Sequence, residues 1–164
     1  MSDARFEDGA EKPLRLLAQD GEDLSVISAL AQDGVLTGAD MTYRKRERRF
    51  SLLLNRFRWE FPAQARGLAP ERVRSVLDFA DVRAVRHQGL DSRDSGTVLT
   101  LLSVQFTPEA SPEEGAPAGP GRVMLVFAGD GAIALDVECL DVQLRDVTRP
   151  YVAPSRRAPD HGTT

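Results

Sequence analysis

The chain is short of the residues that build catalytic and metal sites. Its one cysteine, Cys139, excludes an internal disulfide and points to a reducing compartment, the cytoplasm. Its two histidines, His87 and His161, have no sequence-near histidine or cysteine to complete a metal site. No Ser/His or Cys/His signature supports nucleophilic catalysis, so the expectation is no catalytic residue, no metal ligand and no cofactor contact. No apolar run is long enough to span a bilayer, which excludes a helical membrane anchor. The acidic start, Met1 to Asp8, lacks the hydrophobic stretch of a secretory signal. Lysine is scarce too, outnumbered by arginine two to nineteen. Codon bias explains that ratio most simply, and it discounts any argument resting on arginine alone.

What is present suits one globular domain. At 164 residues, 41% hydrophobic and 28% charged, the chain can bury a core unaided and is too apolar for disorder. We expect a single unit over residues 1–150 and a flexible tail over 151–164. The segment Pro108 to Gly121 holds four prolines, three glycines and no large apolar side chain. It reads as a loop between neighbouring strands.

Periodicity predicts one helix. Asp20 to Asp23 supply a cap and early acid, and Leu24, Ile27 and Leu30 or Ala31 form an apolar stripe. Gly34 is the expected left-handed residue beyond its end. Before it, Leu14 and Leu16 alternate with Arg15 as a short edge strand. Elsewhere the period is two. Strands are expected over Val35–Tyr43, Arg48–Phe61, Arg72–Phe79, Val82–His87, Thr97–Thr107, Arg122–Ala128 and Ala132 to about Val147. Val123, Leu125 and Phe127 alternate before Gly129-Asp130-Gly131, and Ile133, Leu135 and Val137 after it, which is a hairpin pattern.

Two of these strands change phase. Phe50, Leu52 and Leu54 share a face, but Phe57, Trp59 and Phe61 take the other parity. Ile133 to Cys139 on one parity likewise give way to Leu140, Val142 and Leu144 on the other. Each change needs a bulge, bend or break. A helix over 138–147 is the competing account of the second. The fold class is therefore mainly β (α+β by count remains open): a bent antiparallel sheet, as a sandwich or half-open barrel, with one short N-terminal helix.

The one local departure from ordinary composition is basic. Between Arg44 and Arg58 lie seven of the twenty-one cations and a single carboxylate, leaving the rest of a chain of net charge −4 at −10. The candidate interaction surface is Arg44, Lys45, Arg46, Arg48, Arg49, Arg56, Arg58 and Trp59. Nucleic acid is one reading, with guanidinium forks on phosphates and Phe57 and Trp59 stacking. The structural reading is a hairpin with a solvated tip, followed by arginines paired to acids on neighbouring strands. The acidic remainder favours the structural reading. If a surface exists, Arg56 and Arg58 beyond the phase break are the better place for it. Asp136, Glu138, Asp141 and Asp146 could do acid–base or metal chemistry, but a cross-strand charge match is the simpler account. Cys139 falls on an apolar strand face, as inert packing.

Three stretches suggest a family: Leu53-Leu54-Asn55-Arg56-Phe57-Arg58-Trp59-Glu60, Arg72-Val73-Arg74-Ser75-Val76-Leu77-Asp78-Phe79 and Leu135-Asp136-Val137-Glu138-Cys139-Leu140. They resemble a family of short alphaproteobacterial proteins classed only as a domain of unknown function, over about Leu14 to Val147. The resemblance implies a single bacterial cytoplasmic domain and carries no ligand or activity. The leading functional expectation is a non-enzymatic interaction domain meeting an acidic protein or a second copy of itself. A nucleic-acid (RNA) binder using residues 44–58 is the alternative, and an enzyme using Asp136, Glu138 or His87 comes third. No membrane partner is expected.

Overall fold

The computed structural model describes residues 12–60, 70–90, 96–111 and 118–152. Its elements are β1 (Arg15–Ala18), α1 (Gly21–Ala31), β2 (Val35–Thr37), β3 (Met41–Arg44), β4 (Arg49–Phe57) and β5 (Glu71–Phe79). They continue with β6 (Val82–Gln88), β7 (Val98–Pro108), β8 (Gly121–Phe127), β9 (Ala132–Val137), β10 (Val142–Asp146) and β11 (Tyr151–Val152). The strands form one antiparallel sheet in the order β1-β10-β5-β4-β2-β7-β8-β9-β6, with β3 added on β4 and β11 on β5. The sheet does not close, so the mainly β expectation with one short α-helix holds among the described residues. Phe61, His161 and nearly all of the tail lie outside the described residues, as does the middle of the proline-rich loop. The ends of that loop are described: Pro108 and Gly121 are opposite each other where β7 and β8 pair, as a loop between neighbouring strands requires.

The sheet curls at one corner. β5 runs into β6 through Ala80-Asp81, and β9 runs into β10 through Glu138 to Asp141. β5 pairs with β10, and β6 with β9, so the two connections lie side by side. They are bonded to each other, Ala80 N to the Asp141 carbonyl at 2.9 Å and Glu138 N to the Asp81 carbonyl at 3.0 Å. Asp81 takes φ 56°, the left-handed conformation, where the paired ribbon bends. This corner is the second phase change. It is a strand break, and Val142–Asp146 beyond it is strand rather than helix. Cys139 consequently sits in the corner and not on a strand face.

Other local expectations shift for stated reasons. The span 35–43 is split by a one-turn 3-10 helix, Gly38–Asp40, because Asp40 Oδ2 accepts from the Thr37 backbone N at 2.8 Å and its hydroxyl at 3.1 Å. Asp20 caps α1 as expected, accepting from Asp23 N at 2.8 Å. Beyond the helix, however, Asp33 and not Gly34 takes the left-handed conformation, φ 65°. Gly34 is needed for closeness: a Cβ there would lie 2.9 Å from the Ala31 carbonyl and 3.2 Å from Leu54 Cδ1. The β8–β9 turn behaves as read, with Gly129 and Asp130 both at positive φ.

α1 buries Leu24, Ile27 and Ala31, packing chiefly on β7. Ser28 of the helix accepts a 2.9 Å hydrogen bond from Val104 N. That bond meets β7 just past a register shift between Leu101 and Ser103, where Leu102 is skipped as a bulge and Val104 is opposite Leu125. The core continues through alternating Phe50, Leu52, Leu54 of β4, Leu77, Phe79 of β5 and Val123, Leu125, Phe127 of β8. Gly34→Ala should therefore destabilise the fold by about 1–3 kcal/mol, since the backbone carbonyl of Ala31 cannot yield as a side chain could. Urea unfolding midpoints check this; an unchanged midpoint would refute the close approach.

Candidate functional site

The basic stretch divides into an outer and an inner half. Its outer half is the β3–β4 hairpin, in which Arg44 and Arg49 are direct cross-strand partners. Arg48, at φ 54°, turns the chain, and its carbonyl accepts from Val82 N at 2.8 Å. Arg44 pairs with Glu47 at 3.4 Å, Arg48 with Glu138 at 3.1 Å and Arg49 with Asp78 at 3.2 Å. Lys45 and Arg46 at the tip are exposed and make no ion pair among the described residues.

The inner half does the opposite of what a surface needs. Arg56 is fully buried. It continues the inward parity of Phe50, Leu52 and Leu54, and the β4–β5 register runs through it without a shift. The first phase change is thus a strand break, not a bulge: β4 ends at Phe57, short of the expected Phe61, Trp59 lies in the turn beyond, and Arg56 puts a guanidinium in the core in place of an apolar residue. All its N–H groups are used. Nε donates to Ser75 Oγ at 2.9 Å, and Nη1 to the Phe57 carbonyl at 3.1 Å and Glu60 Oε1 at 2.9 Å. Nη2 donates to Glu60 Oε2 at 2.8 Å and Asp146 Oδ1 at 2.9 Å. Ser75 Oγ donates onward to Asp146 Oδ1 at 2.7 Å, and Leu14 N donates to Asp146 Oδ2 at 2.8 Å. Burial alone would lower the pKa of Arg56, but the contacts with Glu60 and Asp146 outweigh it and hold it above the usual value.

Arg58 is also inside, donating to Glu71 Oε2 at 2.5 Å. Trp59 is half-buried, and its Nε1 donates to the Gln32 carbonyl at the end of α1, 3.0 Å away. Phe57 packs against the Trp59 ring at 5.4 Å and lies 4.2 Å beneath the Arg72 guanidinium. Burial holds Arg72 below its ordinary pKa, with the neighbouring Tyr151 opposing. Both aromatic side chains are structural. Of the eight residues expected as a surface, Arg56, Arg58 and Trp59 are committed to the interior or its rim.

The outer face gathers arginines that are distant in sequence. Arg15, Arg44, Arg49 and Arg145 line a recess of about 410 Å³ with Ser51 and Asp78. Arg15 is directly opposite Arg145, as Arg44 is opposite Arg49. Like charges so placed destabilise a sheet. Asp78 accepts from Arg49 and, at 2.5 Å, from Ser51 Oγ, while Arg15 and Arg145 have no carboxylate partner among the described residues. Neither belongs to the basic stretch. Only strand order brings them to it.

A second feature was illegible in the sequence. β3 pairs only with β4 and β6 only with β9 among the described residues, and between them lies a cavity of about 640 Å³. The Tyr43 hydroxyl, donating to the Val82 carbonyl at 2.9 Å, clasps the two strands at the corner end. Met41, Phe50, Val85 and Leu99 supply apolar lining, and His87 a polar one.

Three of the four candidate carboxylates, Asp136, Glu138 and Asp146, are ion-paired with arginines. Asp136 pairs with Arg86 at 3.1 Å and Arg122 at 3.2 Å. Asp136 and Arg86 lie on the sheet face opposite His87, so no acid–histidine pair forms there. No group of three or more metal-ligating side chains converges among the described residues. Cys139 Sγ donates to Asp81 Oδ2 at 3.0 Å, and that bond, with partial burial, pushes the thiol up to about 11.

No helix of the described residues is long and apolar enough to cross a membrane. Residues 14–161 match the family described as protein of unknown function (DUF2948), and the chain belongs to it. No curated protein and no solved structure matches.

Two outcomes follow. Arg56→Ala should cost about 3–5 kcal/mol in urea unfolding, because it strands the buried Asp146 carboxylate. Arg56→Lys should recover only part of that, since an ammonium cannot make the same planar set of contacts. A loss below about 1 kcal/mol for Arg56→Ala would contradict the network. Separately, Cys139 should alkylate slowly at pH 8, where so little thiolate exists, and Asp81→Asn should speed the reaction roughly tenfold or more. Mass spectrometry of iodoacetamide-treated protein reads both rates.

Proposed function

We propose, from membership of a family with no assigned activity and from the charge arrangement on the sheet, that the chain is a non-enzymatic binding module for an acidic protein segment. The cytoplasm, with its reducing conditions, suits the single thiol. The working surface is the recess between Arg15, Arg44, Arg49 and Arg145, extended by Lys45 and Arg46 at the hairpin tip. One observation carries the reading: two arginine pairs stand directly opposite each other on one exposed face, and the Arg15–Arg145 pair has no carboxylate partner among the described residues. Such a repulsion is relieved by an incoming anion.

Carboxylates on an extended chain fit this face better than a phosphate backbone. Six carboxylates already pair with five of the seven cations between Arg44 and Arg58, so little of the local excess is free. No residue lining the recess is aromatic, so there is no platform for stacked bases. Isolated guanidiniums spaced by the strands instead suit single acidic side chains, each held in two-point fashion.

Fluorescence anisotropy with a labelled glutamate-rich peptide tests this. Binding should be present at low ionic strength and weaken strongly toward physiological salt, as expected for exposed charges. Arg15→Glu with Arg145→Glu should weaken it about tenfold or more, with the melting temperature retained because one like-charge pair replaces another. Absence of peptide binding at low salt overturns the proposal. An RNA oligonucleotide bound more tightly than the peptide, with a log–log salt slope near −0.7 per phosphate, would replace it with nucleic-acid binding. A dimer seen in sedimentation and lost in the double variant would make the partner a second copy.

A further inference from the structure

The cavity between β3 and β6 is independent of the basic face. It is a groove open to solvent on one side: His87, Gly89, Thr97, Val98 and Gly129 on its lining are exposed, while Phe50 on its lining is buried. Val85 and Val98 line it where larger residues could project. Val98 is 64% exposed, an apolar side chain at the cavity's edge that a ligand would cover. At about 640 Å³ the space falls within the range of small-molecule sites.

The lining defines the chemistry. Among the described residues it holds no Asp, Glu, Lys or Arg, and that lining suits a ligand with an uncharged body. The Tyr43 hydroxyl proton is already given to the Val82 carbonyl. His87, whose exposed side chain makes no hydrogen bond among the described residues, stands on the wall as a ring donor, with the Thr42 hydroxyl also on the lining. We propose that this cavity binds a compact apolar molecule ending in an oxygen acceptor. The hydrocarbon body lies against Met41, Phe50, Val85 and Leu99, and the oxygen meets the imidazole of His87. The clasp of Tyr43 on Val82 fixes one end of the seam, so the site is preformed there and opens away from the corner.

Titration of isotope-labelled protein with decanoate and with 1-decanol, followed by amide NMR, tests the site. Both should give saturable shifts confined to residues 41–43, 85–89 and 97–99, with the melting temperature raised. Val85→Phe should weaken both at least tenfold by occupying the space. If that variant fails to fold, Val98→Trp at the exposed edge serves instead. His87→Ala should weaken decanoate about fivefold and decanol less, separating a carboxylate from a hydroxyl as the preferred end. No saturable shift with either probe, or undiminished binding in a folded, filled variant, overturns the proposal. Equal binding of both probes, unaffected by His87→Ala, overturns the role of His87. Binding here should not respond to ionic strength for 1-decanol or to Arg15→Glu with Arg145→Glu, so its failure and that of the basic face are read separately.

Discussion

A single buried guanidinium organises one end of this sheet. Arg56 joins β4 to Ser75 of β5, Asp146 of β10 and Glu60 beyond the strand, and Asp146 in turn holds Leu14 at the entry to β1. Replacing such a cluster with hydrophobic residues of matching shape can leave stability unchanged or raised, so its energy alone does not explain it. Its geometry does. Arg56, Ser75 and Asp146 each occupy an inward position of their strand, and a one-residue slip of β4 or β10 would separate them and bury a charge unpaired. Apolar residues of similar size would tolerate that slip far better. The network therefore selects one register among those that hydrophobic alternation permits.

The same burial decides what the outside can present. A chain with an acidic balance concentrates cations between Arg44 and Arg58, yet Arg56 and Arg58 are consumed internally by Asp146, Glu60 and Glu71. What reaches solvent is the hairpin tip and the arginines of the outer sheet face. The electrostatic surface thus belongs to tertiary structure, because Arg15 and Arg145 join Arg44 and Arg49 only through the order β1-β10-β5-β4 with β3 added.

That distinction explains which features the sequence discloses. The helix, its Asp20 cap and the β8–β9 hairpin are local, set by residues within a few positions of one another, and they are legible. The phase break at Arg56 was also legible in principle. Phe50, Leu52, Leu54 and then Arg56 keep one parity, as do Val142, Leu144 and then Asp146, and an inward arginine facing an inward aspartate is a pairing signal. Reading the arginine as outward, by its charge, hid it. The arginine recess and the seam cavity were not legible, since both depend on pairings between strands far apart in the chain. Gly34 misled for a related reason. Its backbone freedom is unused, and what matters is its nearness to the Ala31 carbonyl and, across the fold, to Leu54.

The corner at Ala80-Asp81 and Glu138–Asp141 links the two surface features to one strand. Arg48 of the β3–β4 turn bonds to Val82 beside that corner, and Tyr43 does so from the strand itself. β3 is therefore anchored at its tip end to β6 while remaining unpaired with it elsewhere. Adjacent residues of a strand face opposite sides, so Arg44 can line the outer recess while Tyr43 lines the cavity. Four residues thus contribute to two sites of different chemistry, one charged and open, the other apolar and recessed. A sheet that closed fully would have paired β3 with β6 and filled the cavity with backbone hydrogen bonds. Stopping short of closure is what leaves the seam between β3 and β6 open.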